Sequence, residues 1–331
     1  MLAMTLSKLG TDQAFEAVDI ELPSRGAGEI VIDIHAASIN VVDTKIRGGM
    51  DAIAPDAPII LGCDVAGVVT QVGPGAGRFE VGDEVYGCAG GVKGSAGTYA
   101  DAMIADERLL AHKPKTLSFL EAAAVPLVGI TAWEALVDRA KVEPGEQVLV
   151  HGGTGGVGHF GLQLAKALGA VVHTTVSTAR KSEIADRLGA DRMINYREKS
   201  VHDYIETQTD GRGYDVVFDT VGGDNIAPSL EALANHGRAV SIVSLETSPD
   251  LSALHLKNAS LHVVFMLLPL LTGEGRERHG RILERLAIMI DRGLIKPLLD
   301  EERFTLDEVG QAHERLTSGA AIGKIVVEVP R

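Results

Sequence analysis

The sequence predicts an α/β protein in which a β-rich region is followed by a parallel sheet with helices on both faces. Two observations support this class. From about residue 145 onward, short apolar strands alternate with helical segments, and this alternation requires crossover connections within a parallel sheet. The chain has 331 residues, of which 45% are hydrophobic and 23% charged, and this composition is typical of a globular protein with a sizeable core and about two domains.

The region before residue 117 has the pattern of short strands. Residues 29–38 (EIVIDIHAAS) alternate as a strand does, and residues 63–75 and 81–88 are apolar runs closed by Gly and Pro turn signals. They predict a small, tightly turned, barrel-like domain. Residues 117–140 then become helical in character, with an interruption at Pro126.

The alternating region predicts five parallel strands. They are residues 147–152, 170–176, 192–196, 214–221 and 236–244, with helices at 157–169 and 179–189. Residues 261–271 (LHVVFMLLPLL) are too short to span a bilayer and contain Pro269, so we interpret them as a buried or interface strand. A helix at 280–293 and a strand at 323–329 follow.

Charge and cysteine content exclude some partners. The formal net charge of −14 argues against non-specific binding to nucleic acid or to an anionic membrane. Only Cys63 and Cys88 are present, which indicates a reducing compartment without a disulfide framework. The first 20 residues lack the apolar core of a signal peptide, so we expect a cytoplasmic protein.

A glycine-rich loop lies between the first strand of the alternating region and its helix. Residues 148–166 read VLVHGGTGGVGHFGLQLAK and contain the G-x-G-x-x-G spacing. The first glycine allows a tight turn, the second lets the backbone approach a pyrophosphate, and the third lets the helix pack closely on the strand. Free N–H groups at the helix N-terminus then attract phosphates. The predicted cofactor-binding residues of this loop are Gly153, Gly155, Gly156, Val157 and Gly158.

The end of the next strand indicates which dinucleotide binds. An NAD site usually has an acidic residue there, whereas this strand ends in Ser177, followed by Arg180 and Lys181, with no acid before Glu183. A hydroxyl and two cations would bind an additional 2′-phosphate, so the sequence predicts NADPH. The alternative is that Arg180 and Lys181 only form a solvated helix start.

These motifs together resemble those of the medium-chain dehydrogenase/reductase superfamily, and within it the zinc-independent quinone oxidoreductases. The matching segments are residues 36–49, 61–87, 122–136, the glycine loop, 188–198, 214–223 and 323–329. The resemblance implies a GroES-like β-rich catalytic domain formed by residues 1–125 and 269–331. It also implies a Rossmann NADP-binding domain, a doubly wound parallel sheet, formed by residues 126–268.

The resemblance also implies roles for individual residues. Residues at the positions of Ser177, Lys181 and Tyr196 help to hold the 2′-phosphate in relatives. Asn40 and Thr131 match positions that face the nicotinamide. Val243 and Ser244 would lie along the cofactor.

A metal site is not expected. Asn40 stands where zinc-dependent relatives have a cysteine ligand, and Cys63 stands where they have a histidine. A catalytic zinc needs three protein ligands, and Cys63 and Asp64 cannot supply them. The four closely spaced cysteines of the structural zinc lobe are represented only by Cys88.

Without zinc, the chemistry most consistent with the sequence is reduction of a quinone or another α,β-unsaturated carbonyl, whose oxyanion product is resonance-stabilised. The candidate hydrogen-bond donors are Asn40, Lys45, Arg47 and Thr131. Asp43 and Arg47 are spaced i, i+4, so a structural ion pair is the alternative role for that arginine. Lys45 replaces a tyrosine that is common in relatives, and its alternative role is a solvent-exposed side chain.

Two further functions and two states of assembly remain open at the level of sequence. The same scaffold supports enoyl-thioester reductases, although the acidic charge disfavours a long phosphorylated carrier. It also supports non-catalytic NADPH-binding proteins. Residues 261–271 would form a homodimer interface in a quinone reductase, or would be buried within the subunit.

Overall fold

The computed structural model describes residues 1–245 and 247–330. The chain divides into two units. Unit 1 comprises Met1–Ile130, Leu267–Gly293 and Pro297–Arg331, and unit 2 comprises Thr131–Met266 and Leu294–Lys296. The division therefore falls at residues 130/131 and 266/267, where the sequence predicts 125/126 and 268/269.

The strands in chain order are β1 (Leu2–Leu6), β2 (Glu16–Asp19), β3 (Glu29–Ile39), β4 (Ile59–Ile60), β5 (Asp64–Val72), β6 (Glu84–Cys88), β7 (Ala102–Asp106), β8 (Leu110–His112), β9 (Gln147–His151), β10 (Val171–Val176), β11 (Arg192–Asn195), β12 (Tyr214–Asp219), β13 (Leu233–Ser241), β14 (Ser260–Val263), β15 (Phe304–Thr305) and β16 (Ile325–Glu328).

The α-helices are α1 (Val41–Arg47), α2 (Phe119–Ala123), α3 (Pro126–Trp133), α4 (Gly156–Ala167), α5 (Ala179–Arg187), α6 (Val201–Thr209), α7 (Ile226–Glu231), α8 (Ser252–Lys257), α9 (Leu268–Thr272), α10 (Arg276–Asp291) and α11 (Val309–Thr317). Glu134–Arg139 continues α3 as a π-helix. Among the described residues, no helix has the length and apolar character needed to cross a membrane.

Unit 1 is built on two sheets, as expected for the predicted GroES-like domain. The smaller sheet has the order β2-β1-β4, and the larger has the order β15-β16-β3-β5-β6-β8, with β7 also paired to β3. Strand β3 is long and almost completely buried because it has neighbours along both edges. The helix α10 packs against this sheet, and the Tyr86 hydroxyl donates to the Leu283 carbonyl at 2.7 Å.

The register of the larger sheet brings distant segments together at the end of β3. Ser38 is the cross-strand partner of Asp64 at the start of β5, and Asp64 is in turn the partner of Cys88 at the end of β6. On the other edge of β3, Ile39 pairs with Ile325 of β16. Asn40, Asp64, Cys88 and Lys324 therefore lie near one end of one sheet.

Unit 2 is the predicted doubly wound parallel sheet. All five strand pairs are parallel, in the order β11-β10-β9-β12-β13-β14. Strand β9 lies between β10 and β12, so the chain reverses its direction of winding there, and ligands of such sheets bind outside the carboxyl ends of the strands at this switch point. Leu149, Tyr214 and Val217 belong to the apolar core that supports these strands.

The interpretation of residues 261–271 as a single strand is wrong. Strand β14 ends at Val263, and residues 268–272 form the helix α9. Pro269 lies in the first turn of this helix, where its fixed φ and missing N–H favour the start of a helix over the continuation of a strand.

Candidate active site

The glycine loop lies at the switch point of unit 2. Strand β9 ends at His151, Gly155 is the N-cap of α4, and the intervening residues turn the chain toward the helix. The Gly153 N–H donates to the Thr174 hydroxyl at 3.0 Å, which ties the loop to β10. The first turn of α4 contains no acidic residue, so the positive end of the helix dipole is open to an anion.

Different structural reasons favour glycine at different positions of this loop. Gly152 has φ +71°, so the left-handed turn falls one residue before Gly153, to which the sequence assigns it. A Cβ on Gly153 would lie 2.1 Å from the Thr174 hydroxyl oxygen, and one on Gly158 would lie 2.1 Å from the Gly152 carbonyl oxygen. A Cβ on Gly155 would meet only the Gly152 carbonyl oxygen, at 3.2 Å, so this position is less crowded than Gly153 or Gly158.

The predicted 2′-phosphate residues share the carboxyl edge of β10 and β11. Val176 at the end of β10 is paired with Asn195 at the end of β11, so Ser177 and Tyr196 are the first residues beyond this edge. Thr178 caps α5 and its hydroxyl accepts from the Lys181 N–H at 3.2 Å, which places Lys181 in the first turn of the helix. Tyr196 is 54% exposed, so the edge is open to solvent.

The remaining predicted cofactor residues lie on neighbouring parts of unit 2. Arg180 is exposed in the first turn of α5. Val243 and Ser244 are half-buried beyond the carboxyl end of β13. A Cβ on Gly222 would lie 2.0 Å from the Val243 carbonyl oxygen, so the loop after β12 packs directly on this segment.

A buried His–Asp pair lies beneath the loop and has no counterpart in the sequence prediction. His151 and Asp219 are cross-strand neighbours at the carboxyl ends of β9 and β12. Burial lowers the pKa of His151 to about 4, and the Asp219 carboxylate opposes that shift. Oδ1 of Asp219 accepts from the N–H groups of Val221 and Gly222, at 3.0 Å each, and so shapes the loop after β12.

In unit 1, Asn40 lies at the centre of a buried polar cluster. Asn40 follows β3 and precedes α1, and it is 4% exposed. Its amide Nδ2 donates to Oδ2 of Asp64 at 2.9 Å, and its Oδ1 accepts from the Lys324 ammonium at 2.5 Å. Asp64 also accepts from the Ser38 hydroxyl at 2.9 Å and from the Leu127 N–H at 2.8 Å. The two buried charges are therefore paired and hydrogen-bonded, as burial requires.

Asp43 extends this cluster on the side of the cysteines. Its Oδ2 accepts from the Asn40 N–H at 2.7 Å, and its Oδ1 accepts from the Cys63 thiol at 3.3 Å. Burial raises the pKa of the Asp43 carboxyl to about 6. The hydrogen bond with Cys88 and burial both raise the pKa of the Cys63 thiol well above its usual value, so this thiol stays protonated.

The other predicted donors occupy three different environments. Lys45 is exposed on α1. Arg47 is buried, donates to the Gln13 carbonyl at 2.6 Å and places its guanidinium 5.0 Å from the centre of the Phe15 ring. Thr131 is buried in α3 at the first position of unit 2. No ion pair between Asp43 and Arg47 is found among the described contacts.

The described residues do not gather metal-ligating side chains. Within residues 1–245 and 247–330, no group of three or more His, Cys, Asp or Glu side chains is arranged to hold a metal ion.

Comparison with known proteins identifies the family. Residues 26–115 match the model of the alcohol dehydrogenase GroES-like domain, and residues 188–327 match that of the zinc-binding dehydrogenases. Quinone oxidoreductase 1 of Escherichia coli is 33% identical over 324 residues, covering 96% of each chain. The chain belongs to the medium-chain dehydrogenase/reductase superfamily and is quinone oxidoreductase-like. It is therefore an oxidoreductase of a pyridine nucleotide-dependent family with a small-molecule substrate.

Two further relatives bear on the chemistry. The 2-methylene-furan-3-one reductase of Solanum lycopersicum is 33% identical over 317 residues, covering 93% of this chain and 74% of its own. The crystal structure of E. coli quinone oxidoreductase complexed with NADPH has a TM-score of 0.87 and 31% identity, covering 99% of this chain and 100% of its own. The fold class and family predicted from the sequence are confirmed.

Lys324 is the residue of the cluster that sequence reasoning missed. It directly precedes the apolar strand β16 and is 284 positions from Asn40 in the chain. The only local signal is a lysine flanked by glycine and a run of buried residues in GKIVVEV, which is unusual because lysines are rarely fully buried unless paired.

Proposed function

We propose that this protein is an NADPH-dependent reductase of quinones or other α,β-unsaturated carbonyl compounds that works without zinc. One observation carries the proposal. The glycine loop lies at the switch point of the parallel sheet, next to β10, and the carboxyl ends of β10 and β11 are followed by Ser177, Lys181 and Tyr196. That edge has a cation and hydroxyls where an NAD site has an acidic side chain.

The residues of unit 2 fit such a cofactor. The missing side chain at Gly155 and the free N–H groups of the first turn of α4 suit a pyrophosphate. Lys181, with Ser177 and Tyr196 beside it, suits the 2′-phosphate. Val243 and Ser244 are proposed to border the cofactor beyond β13. Bound NADPH would supply the hydride.

Unit 1 is proposed to supply hydrogen bonds to the acceptor. A quinone or enone that accepts hydride develops negative charge on its carbonyl oxygen, and preorganised donors stabilise that charge. Asn40 is the proposed donor of unit 1, and Thr131, the first residue of unit 2, is a second proposed donor. Lys45 is exposed and free to deliver a proton afterward, whereas the contacts of Arg47 with Gln13 and Phe15 favour a structural role for that arginine.

The donor set supports chemistry without zinc. Cys63 donates its thiol to Asp43, and the neighbouring residue 40 is an asparagine, so the cluster lacks the three His, Cys or carboxylate ligands arranged as a catalytic zinc needs. Asn40 offers an amide in place of a thiolate. The Lys324 ammonium lies 3.5 Å from the Asp64 carboxylate, so a positive charge already neutralises the carboxylate that accepts from the Asn40 side chain.

The proposal is tested by following NADPH oxidation with a panel of quinones, 2-alkenals and enoyl thioesters. We expect turnover with quinones or enones that is unchanged by a chelator. Loss of turnover with the chelator would contradict the zinc-free mechanism, and turnover confined to thioesters would assign the protein to enoyl-thioester reduction. Binding of NADPH without reduction of any acceptor would indicate a non-catalytic protein.

The protein is also proposed to form a homodimer through the free edge of β14. This strand pairs only with β13 among the described strands, and Val263 and Phe265 are 48% and 52% exposed beside its open edge. An exposed apolar strand edge is a template for pairing with another chain. Size-exclusion chromatography with light scattering should give a dimer, and Phe265→Glu should give monomers.

The proposed location is the cytoplasm, which agrees with two cysteines that are both free.

A further inference from the structure

We propose that Lys324 is a positioning residue that fixes the Asn40 amide as a hydrogen-bond donor for the reaction. The inference rests on the proposed function and deepens it, because it assigns a role to a buried lysine 284 positions away from the residue it acts on.

The ammonium group of Lys324 is completely engaged. It donates to Asn40 Oδ1 at 2.5 Å, to the Ile39 carbonyl at 3.0 Å and toward Asp64 Oδ2 at 3.5 Å. These three acceptors match the three N–H groups of an ammonium. The side chain is 3% exposed, so water does not compete for these contacts. Removing an ammonium from water is costly, so its hydrogen bonds inside the protein must offset that cost.

The two charges select one orientation of the Asn40 amide. The cation lies at the amide oxygen, and the Asp64 carboxylate accepts from the amide nitrogen at 2.9 Å. Turning the amide by 180° would set its NH2 group against the ammonium and its oxygen against the carboxylate. Both contacts would then be repulsive in a buried environment, where electrostatic interactions are strong. Lys324 and Asp64 together therefore hold the amide in one rotamer.

This orientation prepares the amide for a role in catalysis. The described contacts use one of its two N–H groups, which leaves the second for an acceptor oxygen. A cation bound to the amide oxygen also polarises the amide and strengthens its N–H groups as donors. The described contacts of the Lys324 ammonium are all with the buried residues Ile39, Asn40 and Asp64. The lysine therefore acts on the reaction through Asn40, without touching the acceptor.

A purely structural role makes a different prediction from a positioning role. If Lys324 only neutralises Asp64, its removal lowers stability and affects catalysis independently of Asn40. If it positions Asn40, its removal has no further effect once the amide is gone. A double-mutant cycle between Lys324 and Asn40 distinguishes these roles.

The experiment measures kcat and KM for quinone reduction in wild type, Lys324→Met, Asn40→Ala and the double variant. We expect kcat to fall about 10- to 100-fold in Lys324→Met, because the Asn40 amide would no longer be held in one orientation and a small misplacement of a reacting group has an effect of this size. We expect the double variant to match Asn40→Ala within about two-fold, because the effects share one interaction. The NADPH affinity of Lys324→Met, measured by fluorescence titration, should be unchanged, since the Lys324 ammonium contacts only Ile39, Asn40 and Asp64.

Ser38→Ala is the matched control. Ser38 donates to the same Asp64 oxygen but does not contact the Asn40 side chain, so its loss tests the effect of weakening the carboxylate's hydrogen bonds alone. We expect a change in kcat of less than about two-fold, since the Lys324–Asn40 contact persists.

The outcomes separate this inference from the proposed function. Two outcomes would overturn the positioning role alone, provided that the wild type turns over. One is an unchanged kcat in folded Lys324→Met. The other is a double variant in which the kcat losses of the two single variants multiply. Absence of wild-type turnover with every acceptor would overturn both. If Lys324→Met does not fold, the same cycle is measured in an Asp64→Asn background, where no buried carboxylate is left unpaired, and the same criteria apply.

Discussion

The two regions that carry the proposed chemistry are built on opposite principles. In unit 2, the site consists of backbone N–H groups, glycines and side chains that stand at an open sheet edge, with Tyr196 54% exposed. In unit 1, the site consists of buried side chains, and Asp64 and Lys324 are 0% and 3% exposed. A charge at the open edge is solvated and available to a ligand, whereas a charge in the buried cluster already has its partners.

This difference determines what each lysine contributes. Lys181 is half-buried at a helix start and its value lies in the ligand it binds. Lys324 is buried, so water cannot take its place beside Asp64 when the lysine is lost. The stability of the fold therefore depends on this side chain. Replacing lysine by methionine should therefore lower the stability of the protein strongly at position 324 and hardly at position 181.

The largest expected effect is on stability. Lys324→Met should lower the free energy of unfolding by about 3–5 kcal/mol, because it leaves the Asp64 carboxylate buried without its cation. Lys181→Met should change it by less than about 0.5 kcal/mol, as surface substitutions usually do. Urea unfolding followed by circular dichroism gives both values. Similar values for the two variants would contradict the distinction between the regions.

The pH dependence of stability sharpens the description of the buried cluster. The pKa of Asp43 is about 6 in the folded chain and 3.8 in the unfolded reference, so the folded state binds this proton more tightly. Protonated Asp43 therefore contributes up to about 3 kcal/mol to the free energy of unfolding. This contribution is complete below about pH 4 and is lost as the pH rises to about 6 and above.

Asp43→Asn removes this titration and tests it. The variant should gain stability relative to wild type as the pH rises from about 4 to about 6. Comparing the two proteins at each pH cancels the contribution of His313, whose pKa burial lowers to about 3 and which acts in the opposite direction. A stability difference that does not vary over this interval would show that Asp43 titrates normally.

In the glycine loop, the effect of a single methyl group should depend on its position. Gly158→Ala should cost about 2 kcal/mol and weaken NADPH binding, because its Cβ would lie 2.1 Å from a carbonyl oxygen of the backbone. Gly155→Ala should cost less stability than Gly158→Ala, since its Cβ meets one backbone oxygen at 3.2 Å instead of 2.1 Å, and should also weaken NADPH binding. Thermal unfolding and fluorescence titration measure the two effects. Equal losses of stability would contradict the packing argument.

The same contrast explains what could be predicted from the sequence. The glycine loop and the Ser177–Lys181 edge are local patterns, because each lies within a few residues along the chain and its spacing alone indicates the geometry. The Asn40–Asp64–Lys324 cluster depends on the register of β3 with β5 and β16, which no local spacing shows. The apolar run of residues 261–271 suggests one strand because it has no periodicity that separates β14 from α9.

The most direct test of the account is the ratio of kcat/KM for NADPH to that for NADH, measured in wild type and in Lys181→Ala with one quinone. We predict that wild type prefers NADPH, and that the variant loses at least about 10-fold of this preference through weaker use of NADPH, the equivalent of about 1.4 kcal/mol for one charge-assisted contact. A wild type that uses NADH as well as NADPH, or a variant with an unchanged ratio, would contradict the assignment of the β10 edge to the 2′-phosphate.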